Sequence, residues 1–292
     1  MISYMKKFAY LIMAHENSFV LKTLLKLLDD ERNDIYIHFD AKCLLNFKDE
    51  LKRLVTKSGL YFTDKRLAVI WGNISQVEAE YVLFEAAYNQ FNYSYYHLLS
   101  GSDLPLKSQD FIHAFFEKMD GKEFIGFSGN IYIEKVRYIH IFSKYFRSKS
   151  NVFHLISNLF IFFQRIVNYN RVKNNPIIIK KGPNWVSVTN KFVSYIIDNK
   201  GVVLKLFKFS KSPEEFYKQT LAYNSTFNQN IFSKQDTFVG CLREIDWVRG
   251  FPYIWKSNDF DYLVNSEKIF ARKFSEFENE LVVKIQNYVL KL

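Results

Sequence analysis

The 292-residue chain is poor in the residues that staple, break or punctuate a fold. Its two cysteines, Cys43 and Cys241, lie in no Cys-x-x-Cys spacing. That excludes a disulfide framework and makes a reducing compartment the expectation. Five prolines and ten glycines leave no flexible linker and no low-complexity tail, so one continuous domain over residues 1–292 is expected. No repeat at solenoid or propeller periods occurs. A glycine-rich dinucleotide or Walker loop is also missing, which argues against NAD and P-loop chemistry. The apolar run after Lys6-Lys7 is too short for a signal segment with a cleavage site, and no run reaches membrane-spanning length. An intracellular protein not integral to a membrane is the expectation.

Metal-ligand spacing is scarce. His15 and His38 both fall at strand ends, but without a third ligand they read as hydrogen-bonded structure. Asp259-Phe260-Asp261 matches the Asp-x-Asp pattern of metal-dependent sugar transferases. It opens an apparent helix, with Asp259 near the N-cap, so it reads as a cap and no metal is expected.

What the chain has in excess is aromatic and basic. Thirty Phe and 19 Tyr exceed core needs, so some must line a groove, an interface or a membrane-facing surface. The formal net charge is +10, and it is local: residues 135–181 carry ten Lys/Arg and no acid, while the remainder carries 30 of each sign. Nucleic acid, an anionic membrane and a phosphate-bearing substrate all fit such a charge. No nucleic-acid-binding module is found, so no nucleic-acid partner is expected. Within segment 144–173, Phe153, Ile156, Leu159, Phe160, Phe163 and Val167 form a helical apolar stripe. Lys144, Arg147, Lys149, Arg165, Arg171 and Lys173 flank it. Two readings stay open: a helix buried in the domain, or an interfacial helix on an anionic leaflet.

Along the chain, Phe8 to Met13 reads as a strand buried on both faces, and Phe19 to Leu28 as a helix. Asp34 to His38 is a second strand. A helix from about Leu44 to Val55 follows, then short strands near Leu60–Phe62 and Ala68–Ile70. A helix from Ser75 to about Asn89 leads into a strand from Tyr95 to Leu99. This alternation predicts an α/β fold with a mostly parallel, Rossmann-like sheet flanked by helices. Ligands of such sheets bind beyond the carboxyl ends of the strands, here His15-Glu16, Asp40-Ala41-Lys42 and Ser100 to Asp103.

Ser212-Pro213-Glu214-Glu215 reads as a helix start. Ser212 is a candidate N-cap, Pro213 suits the first position, and Glu215 falls where a capping box needs its acid. The same glutamate could instead be a catalytic carboxylate on a rigid frame, but the local sequence alone favours the cap, because such helix starts are common and catalytic ones rare.

Several stretches together resemble the core-2/I-branching enzymes, glycosyltransferase family 14, including the peptide xylosyltransferases. They are Ala9 to His15, Ile35 to Lys42, Ser75-Gln76-Val77, Tyr96 to Lys107, Gly182 to Thr189, Ser212 to Glu215 and Phe270 to Phe274. The resemblance implies a GT-A-like fold, with residues 8–110 as the nucleotide-sugar half and 120–292 as the acceptor and catalytic half. It implies inverting, metal-independent transfer from a UDP-sugar donor, UDP-GlcNAc first, with UDP-xylose or UDP-glucose as alternatives. A non-catalytic sugar-binding relative is the other alternative.

By the same resemblance Glu215 is the base and Lys273 contacts the donor diphosphate, aided by Arg249 or Lys256. His15, Asp40, Ser75 and Asp103 fall in donor-side motifs; Arg137, Asn184 and Trp185 fall on the acceptor side. Animal members are cysteine-rich and carry an N-terminal anchor. The lack of both features here suggests a bacterial cytoplasmic relative, peripheral on the inner face of the plasma membrane. There it would act on a glycan or lipid-linked oligosaccharide in surface polysaccharide synthesis. No resident cofactor is expected.

Overall fold

Strands of continuous apolar sequence form the centre of the molecule. A computed structural model describes residues 6–44, 46–141 and 151–292. Strand β1 (Phe8–Ala14) pairs in parallel with β2 (Asn33–Phe39) on one side and β4 (Tyr95–Ser100) on the other, and β3 (Gly59–Phe62) extends the sheet beyond β2. A short antiparallel strand, β6 (Ser187–Thr189), closes the far edge, giving the order β3-β2-β1-β4-β6. Because side chains alternate across a strand, Tyr10 and Ile12 enter one core while Ala9 and Leu11 enter the other.

Helices cover both faces. The first core receives α1 (Phe19–Leu28), whose Leu21, Leu24, Leu25 and Leu28 are fully buried, and α12 (Asn279–Val289). Ser18 starts α1 by accepting the Leu21 amide at 3.2 Å. The second core receives α3 (Ile74–Gln90), α7 (Asn190–Asp198) and α9 (Tyr217–Tyr223). Each fully buried leucine of this kind contributes about 1.5–3 kcal/mol relative to exposure.

Two expectations from the sequence need correction. Ala68–Ile70 is not a strand. Its neighbourhood is held by side chains: the Leu67 amide donates to His38 Nε2 at 3.1 Å, Val69 to Asp40 Oδ2 at 3.1 Å and Ile70 to Ser75 Oγ at 2.9 Å. The helix expected from Leu44 to Val55 is the shorter α2 (Lys48–Leu54), because Leu44 points to solvent and offers no start to an apolar stripe. A second sheet, β5-β8-β7, had no clear sequence signal. Its strands β5 (Asp103–Pro105), β7 (Arg243–Ile245) and β8 (Phe270–Arg272) have three residues each, too few for a period to show.

Between β5 and β6 lie α4 (Gln109–Lys118), the four-residue α5 (Glu134–Arg137) and α6 (Asn151–Ile166). Lys144, Arg147 and Lys149, named above as flanking the apolar stripe, lie outside the described residues. No helix among the described residues is long and apolar enough to cross a membrane.

Candidate active site

The expected convergence occurs at the carboxyl edge of the parallel strands. After β4 the chain turns at Gly101-Ser102 and enters β5 at Asp103, whose carboxylate is buried. Asp103 Oδ2 accepts the Ser100 amide at 2.8 Å and Oδ1 accepts the Ser100 hydroxyl at 2.9 Å. Arg272, at the end of β8, reaches across the paired strands to Asp103 Oδ1 at 2.7 Å and also donates to the Ser100 hydroxyl. The same guanidinium lies 4.5 Å from the centre of the Trp185 ring. One arginine therefore joins the β4 end, the second sheet and the segment ahead of β6.

That segment, Lys181 to Val186, runs from the arginine to Glu215. It is held from below by Arg243, a fully buried guanidinium that donates to Val186 O at 2.9 Å and to Ser187 Oγ at 3.0 Å. Burial lowers the Arg243 pKa to about 10. At its other end the Gly182 amide donates to Glu215 O at 2.9 Å, and Lys181 Nζ lies 3.3 Å from Glu215 Oε2. Lys135, on α5, approaches the same oxygen at 3.0 Å. The Glu215 carboxylate is thus partly buried between two ammonium groups drawn from the basic segment.

The local geometry of Glu215 corrects the capping-box reading. Ser212 has φ +53°, in the left-handed region that side chains disfavour, and its side chain makes no capping bond. Pro213–Glu215 forms a single 3-10 turn, and the α-helix starts two residues further on, at Tyr217. The Ser212 amide is instead tied to Gly72 O at 2.8 Å. Gly72 has φ +73° and leads into the Asn73 cap of α3, so the turn is docked on the loop ahead of Ser75. The turn that carries Glu215 and the start of α3 that carries Ser75 are therefore tied together.

Beneath this turn lies a polar network that no local sequence pattern marks. Lys218 Nζ lies 2.6 Å from Glu80 Oε2 and 2.6 Å from Asn184 Oδ1, while the Tyr217 hydroxyl donates to Glu80 Oε2 at 2.7 Å. Burial pulls the Lys218 pKa down, opposed by the Glu80 charge. Glu214 is buried beside it, and desolvation, reinforced by the Glu215 charge, pushes its carboxyl up to about 8. Of two adjacent glutamates, one is buried inside the protein and the other is partly exposed between two lysines.

The remaining sequence-predicted residues fall into separate groups. Asp40 is buried, and its oxygens accept the Lys42 and Val69 amides at 2.8 and 3.1 Å, so it shapes the β2 end. His15 is exposed beside Glu16. The Lys273 backbone bonds to Tyr253 and Trp255. Arg249 stacks 4.1 Å from the Tyr253 ring and pairs with Asp259 at 2.8 Å and with Asp246. Lys256 is exposed at the head of the adjoining turn, its amide donating to Asp259 Oδ2 at 2.9 Å. Arg249, Lys256 and Lys273 thus frame one aromatic loop. Asp259 is occupied by that arginine and that amide, and among the described residues no group of three or more His, Cys, Asp or Glu is arranged to hold a metal ion. Arg137 stands apart from Asn184 and Trp185: it donates to Asn168 Oδ1 at 2.6 Å and Tyr169 O at 3.3 Å. Arg272, next to Lys273, carries no local sequence signal of this role. The Asp103 carboxylate on the partner strand was its only signal.

A mostly parallel sheet flanked by helices, with a short second sheet beside it, is consistent with the fold of a GT-A-like glycosyltransferase. The chain belongs to the Core-2/I-Branching enzyme family, which it matches over residues 8–262. Xylosyltransferase 2 of Rattus norvegicus is 22% identical over 304 residues, 97% of this chain and 34% of its own length. The N-acetyllactosaminide beta-1,6-N-acetylglucosaminyl-transferase of Homo sapiens is 22% identical over 290 residues, 91% of this chain and 67% of its own. A human protein named probable beta-1,3-galactosyl-O-glycosyl-glycoprotein beta-1,6-N-acetylglucosaminyltransferase 7 is 24% identical, with 94% and 66% covered. The chain spans about a third of the length of the xylosyltransferase it matches.

Proposed function

We propose that the chain transfers a sugar from a UDP-sugar to a hydroxyl of a glycan acceptor with inversion, and that Glu215 is the base. The observation that carries this reading is the Glu215 carboxylate, set between Lys135 and Lys181 at the carboxyl edge of the sheet. In a single displacement the acceptor oxygen bonds to the anomeric carbon as that carbon parts from the phosphate oxygen. Glu215 takes the hydroxyl proton, and the electron pair of the broken bond leaves on UDP. The growing diphosphate charge is met by fixed cations, Lys273 with Arg249 or Lys256, in place of a metal ion. Asp40 and Asp103 act on the donor by fixing backbone, because the structure commits their oxygens to amides, a hydroxyl and Arg272. His15 and Ser75 complete the donor side, and Asn184 and Trp185 the acceptor side.

GlcNAc is the first donor sugar to test and xylose the second, since relatives bear both names. Thermal unfolding with UDP, UDP-GlcNAc, UDP-xylose and UDP-glucose in the presence of a chelator tests this assignment. A rise in melting temperature with UDP, and a larger one with a single UDP-sugar, is expected. No rise with any uridine compound but a rise with another nucleotide would overturn it.

A further inference from the structure

Helix α6 turns its apolar side outward. Over its 16 residues, about 24 Å, Val152, Leu155, Leu159, Phe162, Phe163 and Ile166 recur at helical spacing and are each 47–63% exposed. The opposite side packs on the body. Gln164 is buried there, accepting the Ile139 amide at 2.8 Å and donating back to Ile139 O at 3.1 Å. Arg165 pairs with Glu134 of α5 at 2.6 Å, and Arg137 of the same short helix donates to Asn168. The outward stripe is therefore fixed in place by polar bonds behind it.

We propose that this face of α6 docks on an anionic lipid surface. A single-sided apolar stripe within a basic stretch of the chain suits the boundary between headgroups and acyl chains, which needs no shape complement. Residues 135–181 hold ten Lys/Arg and no acid, and the nearest acid, Glu134, is neutralised by Arg165. A second copy of the chain on this face would set that cationic segment against itself. Anionic headgroups compensate it. Docking also orients Glu215: α5, which anchors α6, carries Lys135 against it. An acceptor borne on lipid would then meet Glu215 from the membrane side. That last consequence rests on the function proposed above; the docking itself does not.

Vesicle flotation tests the proposal. The protein is mixed with vesicles of phosphatidylcholine, or of phosphatidylcholine with about one-third phosphatidylglycerol as the anionic component. Wild type should float with the anionic vesicles, remain behind with the neutral ones, and detach as salt screens the attraction. Phe162→Ser with Phe163→Ser should cut flotation roughly tenfold without altering the circular dichroism spectrum. Lys173→Glu, which leaves the stripe intact, should weaken it as well. Glu215→Gln should float like wild type, which separates docking from transfer. Equal flotation of wild type and the double variant, or none by wild type, overturns the proposal. So does a dimer that the double variant abolishes in a protein that ignores both vesicle types.

Discussion

Lys218 Nζ lies 2.6 Å from Glu80 Oε2, and solvent reaches neither side chain. The pair fastens α9 to α3 directly beneath the turn that presents Glu215, with Asn184 as the third member. A charge pair at such depth gains little over a well-packed apolar pair, but its separation is costly. Lys218→Met leaves the Glu80 carboxylate buried and is expected to cost about 3–5 kcal/mol in urea unfolding. Lys218→Met combined with Glu80→Leu should recover a large part of that loss. Equal destabilisation by the single and double variants would show that packing, not the charge pair, matters here.

Glu214 gives stability a pH dependence of defined sign. Its carboxyl titrates at about 8 in the folded chain against an ordinary value of 4.5, so between those values the folded protein binds the extra proton. Stability is therefore fully present below the ordinary value and falls as pH rises through the folded one. Glu123, raised to about 7 by burial, acts in the same direction. His113, lowered to about 4 mainly by burial, acts oppositely on the acid side, where charging it favours the unfolded chain. Glu214→Gln should flatten the alkaline decline measured by thermal unfolding across this range. An unchanged slope would contradict the buried, protonated state.

Arg272 meets Asp103 and Ser100 and stacks on Trp185, three demands that only a planar guanidinium satisfies together. Arg272→Lys retains the charge but loses the fork and the stack, and should cost about 1.5–3 kcal/mol of stability. Trp185 fluorescence should shift as the ring loses its cation. A silent substitution on both measures would remove Arg272 from the site.

Asp40 replaces a strand partner for the segment after β3. Asp40→Ala frees the Val69 and Lys42 amides, so hydrogen exchange at Val69 should quicken while amides of β1 stay protected. UDP affinity should fall with it if the ordered segment lines the donor pocket. Unchanged exchange at Val69 would show that the segment is held by other bonds.

The sequence was most legible where packing alone decides. Phe8 to Ala14 is a continuous apolar run and the core of Asn33 to Phe39 is apolar too, both buried on both faces as central strands, and α1 and α3 show their buried stripes directly. It was least legible where a side chain stands in for backbone. Nothing local indicates that His38, Asp40 and Ser75 would satisfy the amides of residues 67–70, which reads as a strand for that reason. Ser212 carried every mark of an N-cap, but its contact with Gly72, 140 positions earlier, holds it in a left-handed conformation. The strand-end polar residues were visible as a set, whereas Arg272 and Lys218 acquire their roles only from partners distant in sequence.

The most direct test of the account is the transfer rate of Glu215→Gln. Glutamine keeps the shape and the hydrogen-bonding oxygen but cannot take a proton. The variant should fold normally, bind UDP as wild type does, and lose transfer by roughly 10²–10⁴-fold or more. Glu214→Gln, one residue away and buried, should keep measurable transfer. Turnover by Glu215→Gln at the wild-type rate would contradict the assignment of Glu215 as the base.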